Sequence, residues 1–170
     1  CREGGAAVDV RMKAGSLCSG CGGLDIAVEV VFGAEPAWLC ETDKLCRAVL
    51  ERHFPGVPII HDVREIDAGV VRVDVMHGGY PCQPFSVAGK RGGESDPRHL
   101  WPEFARCVRL LRPRVVVLEN VAGHLALGFD SVLGDLAEAG FDAEWVVVRA
   151  SDVGAPHRRE RLFCVAWDAE

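Results

Sequence analysis

Val71-Arg72-Val73-Asp74-Val75-Met76, running on to Gly78-Gly79-Tyr80-Pro81-Cys82-Gln83-Pro84-Phe85-Ser86, is the stretch that decides the fold. Its first part alternates apolar and polar residues and is β-branched at 71, 73 and 75, the pattern of a strand. Gly78 and Gly79 permit a tight exit, and Pro81 and Pro84 stiffen the chain on either side of Cys82. A thiol placed there lies at the carboxyl end of a strand, where open α/β sheets hold their ligands. The same residues also suit a surface turn with a buried-type cysteine. A free thiol titrates near about 8.5, so a nucleophile at this position needs a base or positive charge beside it.

A chain of 170 residues is long enough for one domain with a real core. Hydrophobic residues at 49% and charged residues at 26% place it among globular rather than disordered chains. No apolar run approaches the roughly 18 residues of a membrane span and no signal peptide opens the sequence, so a cytoplasmic protein is expected. Cys1 stands where an initiator methionine would, and the chain is read as a fragment. The eight cysteines (1, 18, 21, 40, 46, 82, 107 and 164) form no regular framework and are read as reduced thiols. Cys18-x-x-Cys21 resembles half of a zinc site, but Cys40 and Cys46 do not supply the second half, and no metal is expected. The net charge of −6 excludes a uniformly basic nucleic-acid coat but allows a local one.

Residues 1–12 are read as a poorly ordered leader and 13–170 as the domain. Lys13 to Leu17 predicts a strand, turned by Cys18-Ser19-Gly20-Cys21-Gly22-Gly23. Leu24, Ala27, Val28 and Val31 follow at helical spacing. A strand, a glycine turn and a helix form the first unit of a nucleotide-binding sheet. Residues 37–40 predict a second strand ending at Glu41, 18 positions after Gly23, where an acidic side chain would hold a ribose. Asp43 is a good N-cap for a helix from Lys44 to His53. Residues 57–60 predict a third strand, and Asp62 after it either rims a ligand or caps a turn.

The glycine-rich 89–93 loop carries Lys90 and Arg91, cations suited to phosphate or to open solvent. A helix is predicted from about Pro97 to Leu111, with Leu100, Phe104, Ala105, Val108 and Leu111 on its apolar face and Arg106, Arg109 and Arg112 on a solvated one. Val115-Val116-Val117-Leu118 reads as a fully buried parallel strand that delivers Glu119-Asn120 at its end. A helix from Phe129 to Ala139, closed by Gly140, and strands at 144–148 and 162–167 complete the chain. Arg159 and Arg161 alternate ahead of the last strand and would point the same way on extended backbone.

Taken together, Ser19-Gly20-Cys21-Gly22-Gly23, Pro81-Cys82-Gln83-Pro84-Phe85-Ser86, Glu119-Asn120-Val121 and Arg159-Glu160-Arg161 resemble, in order, four motifs of the DNA cytosine carbon-5 methyltransferases. The resemblance runs from about residue 14 to 167. It implies an α/β, Rossmann-like S-adenosylmethionine-dependent methyltransferase fold, doubly wound and mostly parallel, with an antiparallel pair at one edge. It further implies that Cys82 attacks carbon 6 of a cytosine flipped out of double-stranded DNA, activating carbon 5 toward the methyl donor. By the same resemblance Glu119 would hold the ring nitrogen and amino group, Arg161 the carbonyl, and Arg159 would brace the site. S-adenosylmethionine would lie against Cys18, Ser19, Gly20, Cys21, Gly22, Gly23, Leu24, Glu41, Asp62, Val63, Pro81 and Leu100. Gln83, Ser86, Lys90 and Arg91 would face the DNA, with the 87–93 loop closing behind the base.

Two positions depart from the family pattern: Cys18, where an aromatic residue is usual, and His157, where glutamine is common. The family's target-recognition region and C-terminal motifs find no counterpart, so the chain alone is expected to be weakly active or inactive, with recognition supplied by another segment. The alternatives are an RNA cytosine methyltransferase sharing these motifs and a non-catalytic truncated module that keeps the fold.

Overall fold

The computed structural model describes residues 11–81 and 100–169. They form one seven-stranded sheet with helices on both faces. In chain order the elements are β1 (Lys13–Leu17), α1 (Gly23–Phe32), β2 (Glu35–Cys40), α2 (Lys44–His53) and β3 (Ile59–Ile60). A 3₁₀ turn (Val63–Glu65) leads to β4 (Val75–Gly78), α3 (Trp101–Leu111) and β5 (Val115–Val121). Then come α4 (Phe129–Glu138), β6 (Phe141–Arg149) and β7 (Glu160–Asp168). The strand order is β3-β2-β1-β4-β5-β7-β6. The first five strands are parallel, and β7 enters antiparallel between β5 and β6. The chain winds outward from β1 to β3, then restarts at β4 on the other side of β1. That reversal is a topological switch point, and it leaves a crevice at the carboxyl ends of β1 and β4.

Alternation along the strands divides the core between two faces. Leu17, Met76, Val116, Leu118, Leu162 and Cys164 face α3 and α4, where Phe104, Val108 and Leu136 meet them fully buried. Ala14, Val75 and Val117 face the other way onto Val28 of α1, and Leu39 packs on Leu50 and Phe54 around α2. Each Val, Leu, Met or Phe side chain among them contributes about 1.5–3 kcal/mol by leaving water. Local signals set the helix ends. Asp43 accepts the N–H groups of Leu45 and Cys46 at 2.8 and 2.9 Å as the N-cap of α2. Among the described residues no helix is long and apolar enough to cross a membrane.

The strand expected from Val71 begins only at Val75 and runs on through Gly78. A ladder needs a neighbour: Val75 pairs with Ala14 of β1 and Val115 of β5, and residues 71–73 lie beyond the ends of both. Asp74 closes the ladder, its N–H donating to the Lys13 carbonyl at 2.8 Å and its carboxylate accepting Lys13 N–H at 2.9 Å. The third strand shrinks to Ile59–Ile60, because Pro58 has no N–H to donate. The helix expected from Pro97 starts at Trp101, and 97–99 lie outside the described residues. Of the leader, Arg11 and Met12 are tied down, Arg11 by its ion pair with Glu35 at 2.7 Å and Met12 by its carbonyl accepting Glu35 N–H at 2.8 Å. Arg106 is not on a solvated face. It is half-buried and donates to the carbonyls of Ile66 and Val63 at 2.7 and 2.9 Å, pinning α3 to the 3₁₀ turn.

Between α1 and β4 two ionisable side chains are buried together, with His77 Nε2 3.7 Å from Asp25 Oδ1. Burial pushes the Asp25 carboxyl up from 3.8 to about 6, although the Ser16 hydroxyl pulls the other way. Burial pushes the His77 imidazole down from 6.5 to about 4. Asp25 therefore contributes stability that is present at low pH and lost as pH rises from 3.8 through 6. His77 contributes stability present above 6.5 and lost as pH falls toward 4. Between about 4 and 6 the folded pair keeps one proton on the carboxyl while the unfolded chain keeps one on the imidazole, so the two slopes cancel. Asp25→Asn is expected to leave the His77 slope alone, at most about 1.4 kcal/mol lost per pH unit of acidification in that window. Urea unfolding at pH 6.5, 5.5 and 4.5 measures it, and equal slopes for parent and variant would refute a buried Asp25 carboxyl that keeps its proton.

Candidate active site

The turn that leaves β1 is bolted to β2 before it reaches α1. Ser19 N–H donates to the Cys40 carbonyl at 2.9 Å, Ser19 Oγ donates to Ser16 Oγ at 2.8 Å, and Cys40 N–H donates to Ser19 Oγ at 3.2 Å. Gly22 then sits at φ 87°, where an added Cβ would lie 2.8 Å from the Phe54 ring, so the position takes glycine on both counts. Glu41 at the end of β2 holds the turn from the other side. Its carboxylate accepts Gly20 N–H at 2.7 Å and Asp43 N–H at 2.8 Å.

Around this turn lie two cavities with Cys18 and Gly79 in common. The larger, about 370 Å³, is lined by Ser19, Gly23, Leu24 and Ala27 on one side and Glu119 and Phe163 on the other. The smaller, about 270 Å³, is lined by Cys40, Glu41, Thr42, Asp62, Val63, Arg64, Pro81 and Leu100. Asp62 caps the 3₁₀ turn, accepting Arg64 N–H at 2.9 Å, and lines the cavity. Burial first, and then the Glu41 and Asp62 carboxylates, push the Cys18 thiol up to about 12, so it is a neutral wall rather than a nucleophile.

Opposite the turn stands the acidic end of β5. In the antiparallel register Glu119 faces Phe163 and Val121 faces Arg161, which sets Arg161 one diagonal step from Glu119. Arg161 Nε donates to Glu119 Oε1 at 2.6 Å, and Arg161 Nη1 to the Glu160 carbonyl at 2.8 Å. Gly79 leaves room for that carboxylate: a Cβ there would sit 2.9 Å from Glu119 Oε2. Asn120, buried, donates through Nδ2 to the Tyr80 carbonyl at 3.2 Å, and the Tyr80 hydroxyl meets His124 Nε2 at 2.8 Å. With the Trp101 ring tilted and the Phe104 ring edge-on against Tyr80, the backbone leading into Pro81 is held from three elements.

Of the residues expected to form the site, Cys18, Ser19, Gly23, Leu24, Glu41, Asp62, Val63, Pro81, Leu100 and Glu119 line the two cavities, and Arg161 pairs with Glu119. Gly20, Cys21 and Gly22 do not line them; Gly20 serves by its N–H to Glu41. Arg159 precedes β7, is exposed, and accepts Ala150 N–H with its carbonyl at 3.1 Å. Cys82, Gln83, Ser86, Lys90 and Arg91 lie outside the described residues. Ala27, Cys40, Thr42, Arg64, Gly79 and Phe163 also line the cavities and were missed. Phe163 was hidden because only the β5–β7 register brings it opposite Glu119. Among the described residues no group of three or more His, Cys, Asp and Glu side chains could hold a metal ion.

The arrangement matches known proteins along nearly its whole length. The type II methyltransferase M.AquIA of Picosynechococcus is 34% identical over 173 residues, which span 88% of this chain and 69% of that one. M.NgoMIV of Neisseria gonorrhoeae is 33% identical over 160 residues, 91% of this chain and 51% of that one. A putative DNA modification methyltransferase encoded within an Escherichia coli prophage superposes with a TM-score of 0.75 at 27% identity, over 92% of this chain and 47% of that one. Spodoptera frugiperda DNMT2 gives 0.78 at 24% identity, over 94% of this chain and 50% of that one, a likeness of fold. The chain thus spans about half to two thirds of the length of these relatives. The family model described as C-5 cytosine-specific DNA methylase matches residues 12–170, strand tips and motifs together, and the chain belongs to that family.

Proposed function

We propose that this chain transfers a methyl group to carbon 5 of cytosine in DNA, with S-adenosylmethionine as the donor. The observation that carries the reading is the Glu119–Arg161 pair, 2.6 Å apart, at the edge of a cavity shared with the glycine turn. The donor fits the residues present. Each Glu41 oxygen accepts one backbone N–H and keeps a lone pair for a ribose hydroxyl. Val63 and Leu100 offer an apolar slot for a flat base, and Leu24 and the Ser19 turn enclose the other end. When bound, the donor supplies an electrophilic methyl group.

The protein's task is to make a poor carbon nucleophile into a good one. Cys82 adds to carbon 6 of the cytosine, and the electron pair moves toward ring nitrogen 3. Glu119 holds that nitrogen and the exocyclic amine, and Arg161 the ring carbonyl, so charge develops against groups already fixed by each other. Asn120 and His124, by holding Tyr80, set the path of the backbone that leads into Pro81. Once carbon 5 is methylated, loss of its proton expels the Cys82 thiolate and restores the ring. A cytosine inside a duplex is out of reach of these groups, so it is turned out of the stack.

The test is covalent trapping of the full chain on duplex DNA carrying 5-fluorocytosine, with S-adenosylmethionine present. Fluorine replaces the proton that elimination needs. A denaturant-stable adduct is expected, absent in Cys82→Ser and absent without the donor. An adduct on fluorinated RNA but not on DNA would overturn the choice of substrate, and donor bound by calorimetry with no adduct on either would mean that a further recognition segment is needed to present the base.

A further inference from the structure

Cys21 and Cys46 take no part in the chemistry above. Cys21 lies exposed in the turn between β1 and α1, and Cys46, half-buried, in the first turn of α2. Their Sγ atoms are 3.8 Å apart although 25 residues separate them in sequence. A disulfide requires about 2.05 Å between sulfurs, so less than about 2 Å of approach completes one. The turn has the freedom to supply it, since Cys21 is flanked by Gly20 and Gly22, at φ 56° and 87°.

The other described thiols are poorly placed to compete. Burial pushes Cys18 and Cys40 up to about 12, and Cys107 and Cys164 to about 11, which keeps them protonated. Cys46 is also raised to about 11, by desolvation and then by its contact with Cys21. Cys21, exposed on the turn, is the entering thiol, and Cys46, half-buried beside it, the resolving one.

We propose that Cys21 and Cys46 form a dithiol–disulfide pair which, oxidised by a small-molecule disulfide such as oxidised glutathione, staples the glycine turn to α2. The Cys21 thiolate attacks one sulfur of the small disulfide, forming a mixed disulfide and releasing one glutathione thiolate. Cys46, losing its proton to solvent, attacks Cys21 Sγ and releases the second. The two protein thiols are oxidised by two electrons, and one disulfide is reduced to two thiols. The new bond lies parallel to the Glu41 clamp, which already joins Gly20 N–H to Asp43 N–H across the same gap. Oxidation thus stiffens the wall of the ligand crevice, independently of whether methyl transfer takes place there.

The test uses the full chain, oxidised glutathione, and neither DNA nor methyl donor. Non-reducing peptide mapping is expected to join Cys21 to Cys46, the linked pair weighing two hydrogens less than its reduced parts. Cys46→Ser is expected to retain one glutathione on Cys21, and Cys21→Ser, altered only at an exposed site, to gain no internal bond. Hydrogen exchange of the 19–23 amides is expected to slow several-fold on oxidation and recover on reduction. Free alkylation of both thiols after oxidant, a bond to any other cysteine, or a bond with unchanged exchange would each overturn the proposal. Because the readouts are mass and exchange, they stand or fall separately from the trapping experiment.

Discussion

Gly78→Ala is expected to destabilise the fold by about 3 kcal/mol or more, a large part of the about 5–15 kcal/mol that holds a domain together. Gly78 is the last residue of β4 and pairs with Leu17 of β1 across the switch point. A Cβ at this position would sit 2.1 Å from the Leu17 carbonyl oxygen and 2.8 Å from the Phe104 ring. The ring can tilt, but the carbonyl belongs to the ladder and cannot retreat without parting the two strands. Gly79→Ala is the control. Its Cβ would meet Glu119 Oε2 at 2.9 Å, the free end of a flexible side chain. That variant should keep its unfolding midpoint to within about 1 kcal/mol while displacing the carboxylate, and so lose trapping on 5-fluorocytosine DNA. Urea unfolding of both, read beside trapping, checks the contrast. Two adjacent glycines would then separate fold from site, and indistinguishable midpoints would contradict the argument.

Glu119→Gln and Arg161→Ala are each expected to slow methyl transfer by about 10²–10³-fold. The loss should come almost wholly from the reaction. The Glu119 and Arg161 side chains are 31% and 23% exposed, and a pair so open to solvent is worth only about 1 kcal/mol to the fold. Because each group fixes the other at 2.6 Å, the two should act as a unit, and the double variant should be little slower than the worse single one. Initial rates of methyl transfer, with thermal unfolding measured on the same samples, test this. Multiplying losses in the double variant would mean that the two residues serve separate steps, and full activity in Glu119→Gln would remove the carboxylate from the mechanism.

Much of this was legible in local sequence because the causes are local. The Asp43 cap, the glycines between β1 and α1, and the apolar run of β5 each act within a few residues, and the helix α2 was placed from Lys44 to His53 as observed. The acidic and arginine motifs, and an antiparallel pair at one edge, followed from the family resemblance; in the structure β7 alone runs against the other six strands. Two of the misjudged features depend on a neighbour far away in sequence. Val71 and Val73 have the composition of a strand, yet β4 starts at Val75, where β1 and β5 first run beside it. Arg106 lies on the polar side of its helix by spacing, yet two carbonyls of the 3₁₀ turn take it half out of water. By itself the sequence determined the α/β class and the order of the motifs, because propensity, capping and spacing are properties of short segments. Only the tertiary structure decided that Arg161 grips Glu119, that Phe163 and Gly79 wall the cavity, and that Cys21 meets Cys46, because strand register and helix packing bring together residues that no local interaction could join.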